Sequence, residues 1–204
     1  MKKLSIIVVL IWTACSAHAV FAYSDDATHP ALTQEIVDFY NRSFPNALSA
    51  EEAEWVIEGS RLEDTAPRWI NHFYDPMNLE GWTGEKAGAL DQATVRALST
   101  LGLSTADPLS ALGWAVDYVS QDRYRAYGGN RSWGRGLELY VAGDRREAYI
   151  ALGHALHLLE DMTVPDHTRN DTHAQVAEGA TGDPGSPYEN YTARWTRETI
   201  KSLN

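Results

Sequence analysis

The 204-residue sequence predicts an all-α protein, on three observations. Apolar residues recur at helical spacing, as they do from Leu32 to Tyr40. Signals that start helices recur along the chain, and the clearest is the capping box formed by Ser49 and Glu52. No segment shows the convincing alternation of apolar and polar residues that a half-buried strand requires.

The first half of the mature chain is predicted to contain two helices and an irregular stretch. The first helix includes Leu32–Tyr40 and ends at Pro45. The second starts at the capping box and continues to about Ile57, where Glu58-Gly59-Ser60 is expected to close it. A tryptophan-rich irregular stretch follows, from Asp64 to Gly84.

The middle of the chain is predicted to alternate between helices and a loop. One helix is predicted over Ala87–Leu101. Asp107-Pro108 is an N-cap with a proline at the first turn, and it should start another helix. Tyr127–Gly136 is rich in glycine and arginine, which predicts a loop. A short helix over Leu137–Val141 then ends at Gly143.

The longest clear helix follows. Asp144 is its predicted cap, and its end is expected near Asp161–Thr163. Gly179–Pro187 is predicted to be a loop, and Tyr188–Ile200 a final helix. The mature chain, residues 23–204, is therefore expected to form a single helical domain.

The N-terminus has the pattern of a secretory signal peptide. Two lysines precede an apolar run from Leu4 to Thr13, and small residues follow. This run is too short for a comfortable transmembrane helix. We expect cleavage after Ala22, so that residues 1–22 are removed and the protein is exported, either to a periplasm or to the medium. The alternative is a lipoprotein, lipidated at Cys15.

Charge and cysteine content restrict the function classes. The formal net charge is −11, and loss of the two signal-peptide lysines makes it −13, because no acid is lost with them. This balance argues against electrostatic capture of a nucleic-acid backbone, so no stable nucleic-acid partner is expected. A single cysteine excludes a disulfide scaffold and a thiolate zinc finger. We expect a monomer.

Histidines are concentrated in one short segment. Four of the seven fall within the twenty residues from His154 to His173. His157 and Asp161 are four residues apart on the long predicted helix, so they share one face. Imidazole and carboxylate groups both bind zinc. A solvated polar helix face would explain one such pair, but four histidines and an acid in this segment favour a metal site.

Several blocks of the sequence carry a resemblance to a known family. They are Leu152–Asp161, Pro165–Asn170, His72–Pro76, Glu63-Asp64, Tyr188–Tyr191 and the early His29. Together they resemble the zinc-dependent phospholipase C family, which is part of the phospholipase C/P1 nuclease superfamily. The helix block and the His-Phe-Tyr-Asp-Pro block are its most specific parts. The similarity extends from about His29 to Tyr191, which is most of the mature chain.

The resemblance implies a compact multi-helix bundle that encloses a cluster of up to three zinc ions. One zinc would be held by Asp64, His72, His157 and Asp161. Asp161 would also bridge to a second zinc, which His29 and the free N-terminus would complete. The resemblance further suggests Asp64 as a catalytic base.

The third zinc is where the sequence departs from the family pattern. The resemblance implies His167 and Glu189 as ligands of this ion. The family has a further histidine at the position that is Gly185 here. We expect His173, in the preceding loop, to replace it. His154 has no ligand counterpart in the family and is either an orienting residue or a bystander.

The activity that the resemblance implies is that of a zinc-dependent phosphoric diester hydrolase acting on phospholipids, with transient contact to a membrane surface. Bound zinc would lower the pKa of a water molecule and neutralise the phosphodiester, and the metal-bound hydroxide would attack phosphorus. Zinc would thus allow an acidic protein to bind a phosphate.

Two alternative functions are also considered. One is a single-strand nuclease of the P1/S1 type, whose tryptophans would stack bases, although the negative charge counts against it. The other is a catalytically degenerate, metal-binding member of the family. Gly185 motivates this second alternative. So does the end of the chain at Asn204, where the family continues with further helices, which implies either a reduced version of the family or an incomplete chain.

Overall fold

The computed structural model describes residues 27–65, 68–82, 109–116, 121–122, 128–171 and 186–203. The all-α prediction is confirmed in these ranges, where the single β contact is an isolated bridge between Asp75 and Glu80. The helices are α1 (Thr28–Ser43), α2 (Ala50–Leu62), α3 (Ala111–Val116), α4 (Trp133–Ala142), α5 (Arg145–Asp161), α6 (Pro165–Thr168), α7 (Pro187–Thr192) and α8 (Arg197–Ser202), with a 3-10 helix at Arg68–Asn71. None of these helices combines the length and apolarity that a membrane crossing requires.

Several sequence predictions lie outside the described residues and stay predictions. They are the signal peptide over residues 1–22, the helix over Ala87–Leu101, the helix start at Asp107-Pro108, most of the loop over Gly179–Pro187, and the roles of His173 and Gly185. The predicted Trp-rich stretch is described up to Trp82, and the 3-10 helix lies within it.

Local capping accounts for the start of α2. The Ser49 hydroxyl accepts a hydrogen bond from the Glu52 amide, and the Glu52 carboxylate accepts one from the Ser49 amide. The predicted capping box is therefore confirmed. Before it, α1 ends as predicted ahead of Pro45, since Phe44 is already in an extended conformation.

The predicted end of this helix at Glu58-Gly59-Ser60 is wrong, because α2 continues through these residues. A Cβ added to Gly59 would lie 2.0 Å from the carbonyl oxygen of Ile150 on α5. Gly153 on α5 makes the reciprocal approach, with a Cβ position 2.0 Å from the carbonyl oxygen of Val56. Glycine serves here to let two helix backbones touch, not to end a helix.

The glycine-rich segment before α5 is more helical than predicted. Tyr127–Gly136 was expected to be a loop, but α4 begins at Trp133 because the Ser132 hydroxyl caps it. Gly143 ends α4 in the left-handed conformation, with φ at 88°. The predicted C-terminus at this glycine is therefore confirmed.

The long helix α5 is the central element. The Asp144 carboxylate accepts a hydrogen bond from the Glu147 amide at its start, and the helix ends at Asp161, both as predicted. Helices α1 to α4 all pack against α5, and α2 has the most extensive contact. The apolar cluster between α1, α2 and α5 centres on Val37 and Val56.

The final predicted helix, Tyr188–Ile200, is wrong as a single element. The structure has α7 ending at Thr192 and α8 beginning at Arg197. Thr196 is the N-cap of α8, because its hydroxyl accepts a hydrogen bond from a backbone amide in the first turn of this helix. A new helix therefore starts where the prediction continued the old one. The Thr192 carbonyl also accepts a hydrogen bond from the Thr28 hydroxyl, at 2.7 Å, which ties the break to the start of α1.

The α2–α5 contact predicts the effect of adding one methyl group. We expect Gly153→Ala to lower the free energy of unfolding by about 1–3 kcal/mol through overpacking, although alanine favours a helix by up to about 1 kcal/mol over glycine. Gly134→Ala in α4 is the matched control, since a Cβ there meets nothing within 4 Å. Urea unfolding measures both, and a Gly153→Ala protein as stable as Gly134→Ala would contradict the prediction.

Candidate metal centre

Five buried side chains meet where the ends of α2 and α5 face the start of α1. They are His29, Asp64, His72, His157 and Asp161, and the most exposed of them is only 5% accessible. Two overlapping groups of three could hold a metal ion, with ligand atoms within 4.8 Å of one another. One is His29, Asp64 and His157, and the other is His72, His157 and Asp161. All five were predicted from the sequence as metal ligands.

The distances within this cluster have the spacing of atoms around a shared cation. The Nδ1 atom of His72 lies 3.0 Å from Asp161 Oδ2 and 3.4 Å from Asp64 Oδ1. The Nε2 atom of His157 lies 3.4 Å from Asp161 Oδ2 and 3.6 Å from Asp64 Oδ1. The Nε2 atom of His29 lies 3.5 Å from Asp161 Oδ1. Two ligands of a tetrahedral zinc, each at about 2.1 Å, are about 3.4 Å apart.

Several polar atoms of the cluster make no hydrogen bond within the described part of the chain. They are Asp64 Oδ2, both carboxylate oxygens of Asp161, and the Nε2 atom of His157. Burying such groups without partners costs several kcal/mol, as an order of magnitude. A bound cation would satisfy these atoms, so the donor set fits a metal ion.

Backbone carbonyls orient two of the histidines. His157 Nδ1 donates to the Ser60 carbonyl at 2.7 Å, and His167 Nδ1 donates to the His72 carbonyl at 2.7 Å. Because a carbonyl only accepts, Nδ1 carries the proton in each ring, and the lone pair of a neutral ring is at Nε2. This is the arrangement in which histidines bind metals.

The charges of the cluster shift the pKa values of its members. Burial alone would lower the pKa of His72, but Asp161 more than offsets this and raises it to about 9. The pKa of His157 is raised well above its ordinary value by Asp64 and Asp161, again against burial. Burial opposes ionisation of Asp161, yet the imidazoles of His167, His157 and His72 hold its pKa well below its usual range. The cluster therefore attracts positive charge.

A second buried carboxylate, Glu63, lies directly behind His72. It accepts hydrogen bonds from Arg68 Nη2 and from Trp114 Nε1, both at 2.7 Å, and from His154 Nδ1. Glu63 Oε1 lies 3.5 Å from His72 Nε2. Because the Arg68 guanidinium already neutralises it, Glu63 is a fixed charge beside the centre, and the cation-binding groups lie on the other side of His72.

His154, which had no family counterpart, has a contact that explains its burial. Burial lowers its pKa to about 4, although the charge of Glu63 acts in the opposite direction. The ring is therefore neutral near pH 7, and its Nδ1 donates to Glu63. Of the two roles considered for His154, the orienting role fits this geometry, since Glu63 in turn faces His72.

The remaining predicted ligands are placed to different degrees. His167 on α6 is buried, with its ring stacked on Phe73 at 4.6 Å and its Nδ1 atom 3.8 Å from Asp161 Oδ2. Glu189 is on α7, and its side chain is not among those described. His173 lies outside the described residues. The third zinc and the replacement of the family histidine by His173 therefore stay predictions.

Sequence reasoning missed the buried residue Glu160, which contacts His29 of the centre, and the buried Thr33, which contacts Glu160. Glu160 Oε2 is 2.6 Å from His29 Nδ1, and Glu160 Oε1 accepts a hydrogen bond from the Thr33 hydroxyl at 2.7 Å. A helical signal was available for both. Thr33 is four residues after His29 on α1, and Glu160 is three after His157 on α5, so each shares a face with a predicted ligand.

Comparisons with protein-family models, with curated proteins and with solved structures give no match. The description of the fold and of the candidate metal centre therefore rests on the structure alone. The protein has an all-helical fold, in the part described, with buried groups of histidine and aspartate that could bind metal ions.

The charge network behind the centre predicts a large effect of Arg68. Arg68→Met should lower the free energy of unfolding by about 3–5 kcal/mol, because it leaves the Glu63 carboxylate buried without a charged partner. Arg146→Met is the control, since Arg146 pairs with Glu58 at the surface and exposed pairs contribute at most about 1 kcal/mol. Urea unfolding measures the stability of both variants, and an equal loss of unfolding free energy in Arg68→Met and Arg146→Met would contradict the buried-charge argument.

The raised histidine pKa values predict an unusual pH dependence of metal binding. A metal must displace the proton of His72, whose pKa is about 9 in the metal-free protein, so apparent zinc affinity should rise continuously up to about pH 9. An unperturbed imidazole, with a pKa of about 6.5, would give a plateau by about pH 7.5. Zinc titration against a chelator of known pH dependence tests this, and a plateau at neutral pH would refute it.

Proposed function

We propose that this protein is an exported, zinc-dependent phosphodiesterase of the phospholipase C type, and that it hydrolyses phospholipids. One observation carries the proposal above all. Asp64, His72, His157 and Asp161 come from three separate blocks of the family resemblance, yet a nitrogen of each histidine lies 3.0–3.6 Å from an oxygen of each aspartate in a buried site. A resemblance by chance would not be expected to bring its motif residues together.

Zinc is the proposed metal, since imidazole nitrogen and carboxylate oxygen are both common zinc ligands. His29, Asp64, His72, His157 and Asp161 would hold the ions. Bound zinc would supply positive charge for the phosphate and acidify a water molecule. Around it, the chain fixes the imidazoles through Ser60 and Glu160.

Asp64 has a separate role in this proposal. It is the most exposed of the five cluster residues, at 5%, and its Oδ2 makes no hydrogen bond to another described residue. A carboxylate oxygen in this position can accept the proton of the attacking water. Asp64 is thus proposed to act as the general base as well as a ligand.

The choice of a lipid over a nucleic acid rests on charge and on the tryptophans. The chain is strongly acidic, which disfavours a polyanionic substrate beyond the reacting phosphate. Stacking of bases needs exposed rings. Trp82 and Trp114 are 3% and 0% exposed, and Trp133, which is 48% exposed, lies on α4, a helix that carries none of the predicted ligands. A phospholipid presents a single phosphodiester, whose charge the metal ions alone can offset.

The test compares substrates and metal content in the same protein. We expect the zinc-loaded protein to release the phosphorylated headgroup from phosphatidylcholine in mixed micelles and to leave single-stranded DNA intact. His157→Ala or Asp161→Asn should lower both the zinc content and the activity, the latter by more than about 100-fold, the upper end for loss of an outer-shell partner. Glu138→Gln, on the exposed surface of α4, is the control that should change neither.

Other outcomes would replace this proposal. Cleavage of DNA without lipid hydrolysis would indicate the nuclease of the same superfamily. Tight zinc binding with no hydrolysis of either substrate would indicate a metal-binding member without catalysis. A folded protein that binds no zinc near pH 7 would refute all three functions.

A further inference from the structure

Glu160 stands next to Asp161 in the sequence but is used differently. Its side chain is 4% exposed, and both of its oxygens already have partners within the protein. Oε2 lies 2.6 Å from His29 Nδ1, and Oε1 accepts the Thr33 hydroxyl at 2.7 Å. A carboxylate with both oxygens engaged in this way is unlike Asp161, whose two oxygens make no hydrogen bond to the described residues.

The contact of Glu160 decides which nitrogen of His29 faces the centre. An ionised carboxylate only accepts hydrogen bonds, so His29 Nδ1 carries the proton and the lone pair of the neutral ring is at Nε2. That Nε2 atom lies 3.5 Å from Asp161 Oδ1. The plane of the ring is fixed independently, since it stacks on His157 with 3.6 Å between centroids and 19° between planes.

Glu160 belongs to a series of contacts that links α1, α2 and α5. The Thr33 hydroxyl on α1 also lies 2.8 Å from the Ser60 hydroxyl on α2. Ser60 uses its backbone carbonyl to accept the Nδ1 proton of His157 on α5. A continuous chain of contacts therefore runs from His29 through Glu160, Thr33 and Ser60 to His157. Thr33 and Ser60 are both fully buried, so water does not compete for these contacts.

We infer that Glu160 is a positioning residue of the metal centre, which acts through His29 and is held in place by Thr33 and Ser60. It presents Nε2 of His29 to the metal ion beside Asp161. The inference rests on the metal dependence in the proposed function, and it adds a carboxylate–histidine–metal relay that the sequence resemblance does not contain. Partners of this kind change metal affinity without touching the metal.

A double-mutant cycle on zinc affinity tests this inference. His29→Ala identifies the ion that depends on His29, and Glu160→Gln keeps the size of the side chain while removing its charge. We expect Glu160→Gln to lower the affinity for that zinc ion by about 10–100-fold. In the His29→Ala background, Glu160→Gln should not lower zinc affinity any further. Glu147→Gln, near the start of the same helix and paired with Arg131, is the control and should leave zinc affinity unchanged.

Thr33→Val serves as a second variant if Glu160→Gln does not fold. This substitution removes the hydrogen bond from the Thr33 hydroxyl to Glu160 but keeps Glu160 and His29 themselves. We therefore expect a smaller loss of zinc affinity, and no loss in the His29→Ala background. A merely structural role would weaken zinc binding equally in both backgrounds.

The outcomes separate this inference from the proposed function. Unchanged zinc affinity in Glu160→Gln, or an equal loss in the presence and absence of His29, would overturn the positioning role and leave phosphodiester hydrolysis standing. Zinc binding with the expected cycle but without hydrolysis of any phosphodiester would overturn the proposed function and leave the positioning role standing. A wild-type protein that binds no zinc would overturn both.

Discussion

The backbone contact between α2 and α5 is the constraint on which the site depends. Gly59 and Gly153 let the two helices approach until a methyl group on either would meet a carbonyl oxygen at 2.0 Å. At that separation the Ser60 carbonyl reaches His157 Nδ1 at 2.7 Å. With bulkier residues the helix axes would move apart, and a hydrogen bond of this length would not survive a displacement of 1 Å or more. Helix packing thus sets the orientation of a candidate ligand.

The buried acids of this region fall into two groups according to how their charge is compensated. Glu63 is neutralised by Arg68, and Glu160 receives hydrogen bonds from Thr33 and His29. In contrast, Asp161 has no arginine or hydroxyl partner among the described residues and is surrounded by imidazoles. Because a buried carboxylate must be compensated, the chain provides its own partners for the acids that orient the site. Asp161 and its neighbour Asp64 face imidazoles instead, in groups that could hold a metal ion.

The parts of the structure that depend on local signals could be predicted, and the parts that depend on tertiary packing could not. Ser49, Asp144 and Gly143 act on their own turns, so the capping box, the start of α5 and the end of α4 were predicted. Gly59 was misread because the same residue type ends a helix or permits close packing, and only the position of α5 distinguishes these uses. The His157–Asp161 pair follows from helical spacing, whereas the partners on other elements, such as His29 and His72, came from the family resemblance. The spacing of Glu160 from His157 places it on the same face of α5, but this spacing does not indicate the histidine that Glu160 contacts on α1.

The raised pKa values of two histidines indicate how charges within the cluster balance one another. In the metal-free protein, the negative charges of Asp64 and Asp161 are offset by protons on His72 and His157, whose pKa values are raised for that reason. A zinc ion would replace those protons with an equivalent positive charge. The helical core and the Glu63–Arg68 pair position these residues through contacts within the protein. Ligands that are ordered by contacts within the protein lose less conformational freedom when a cation binds.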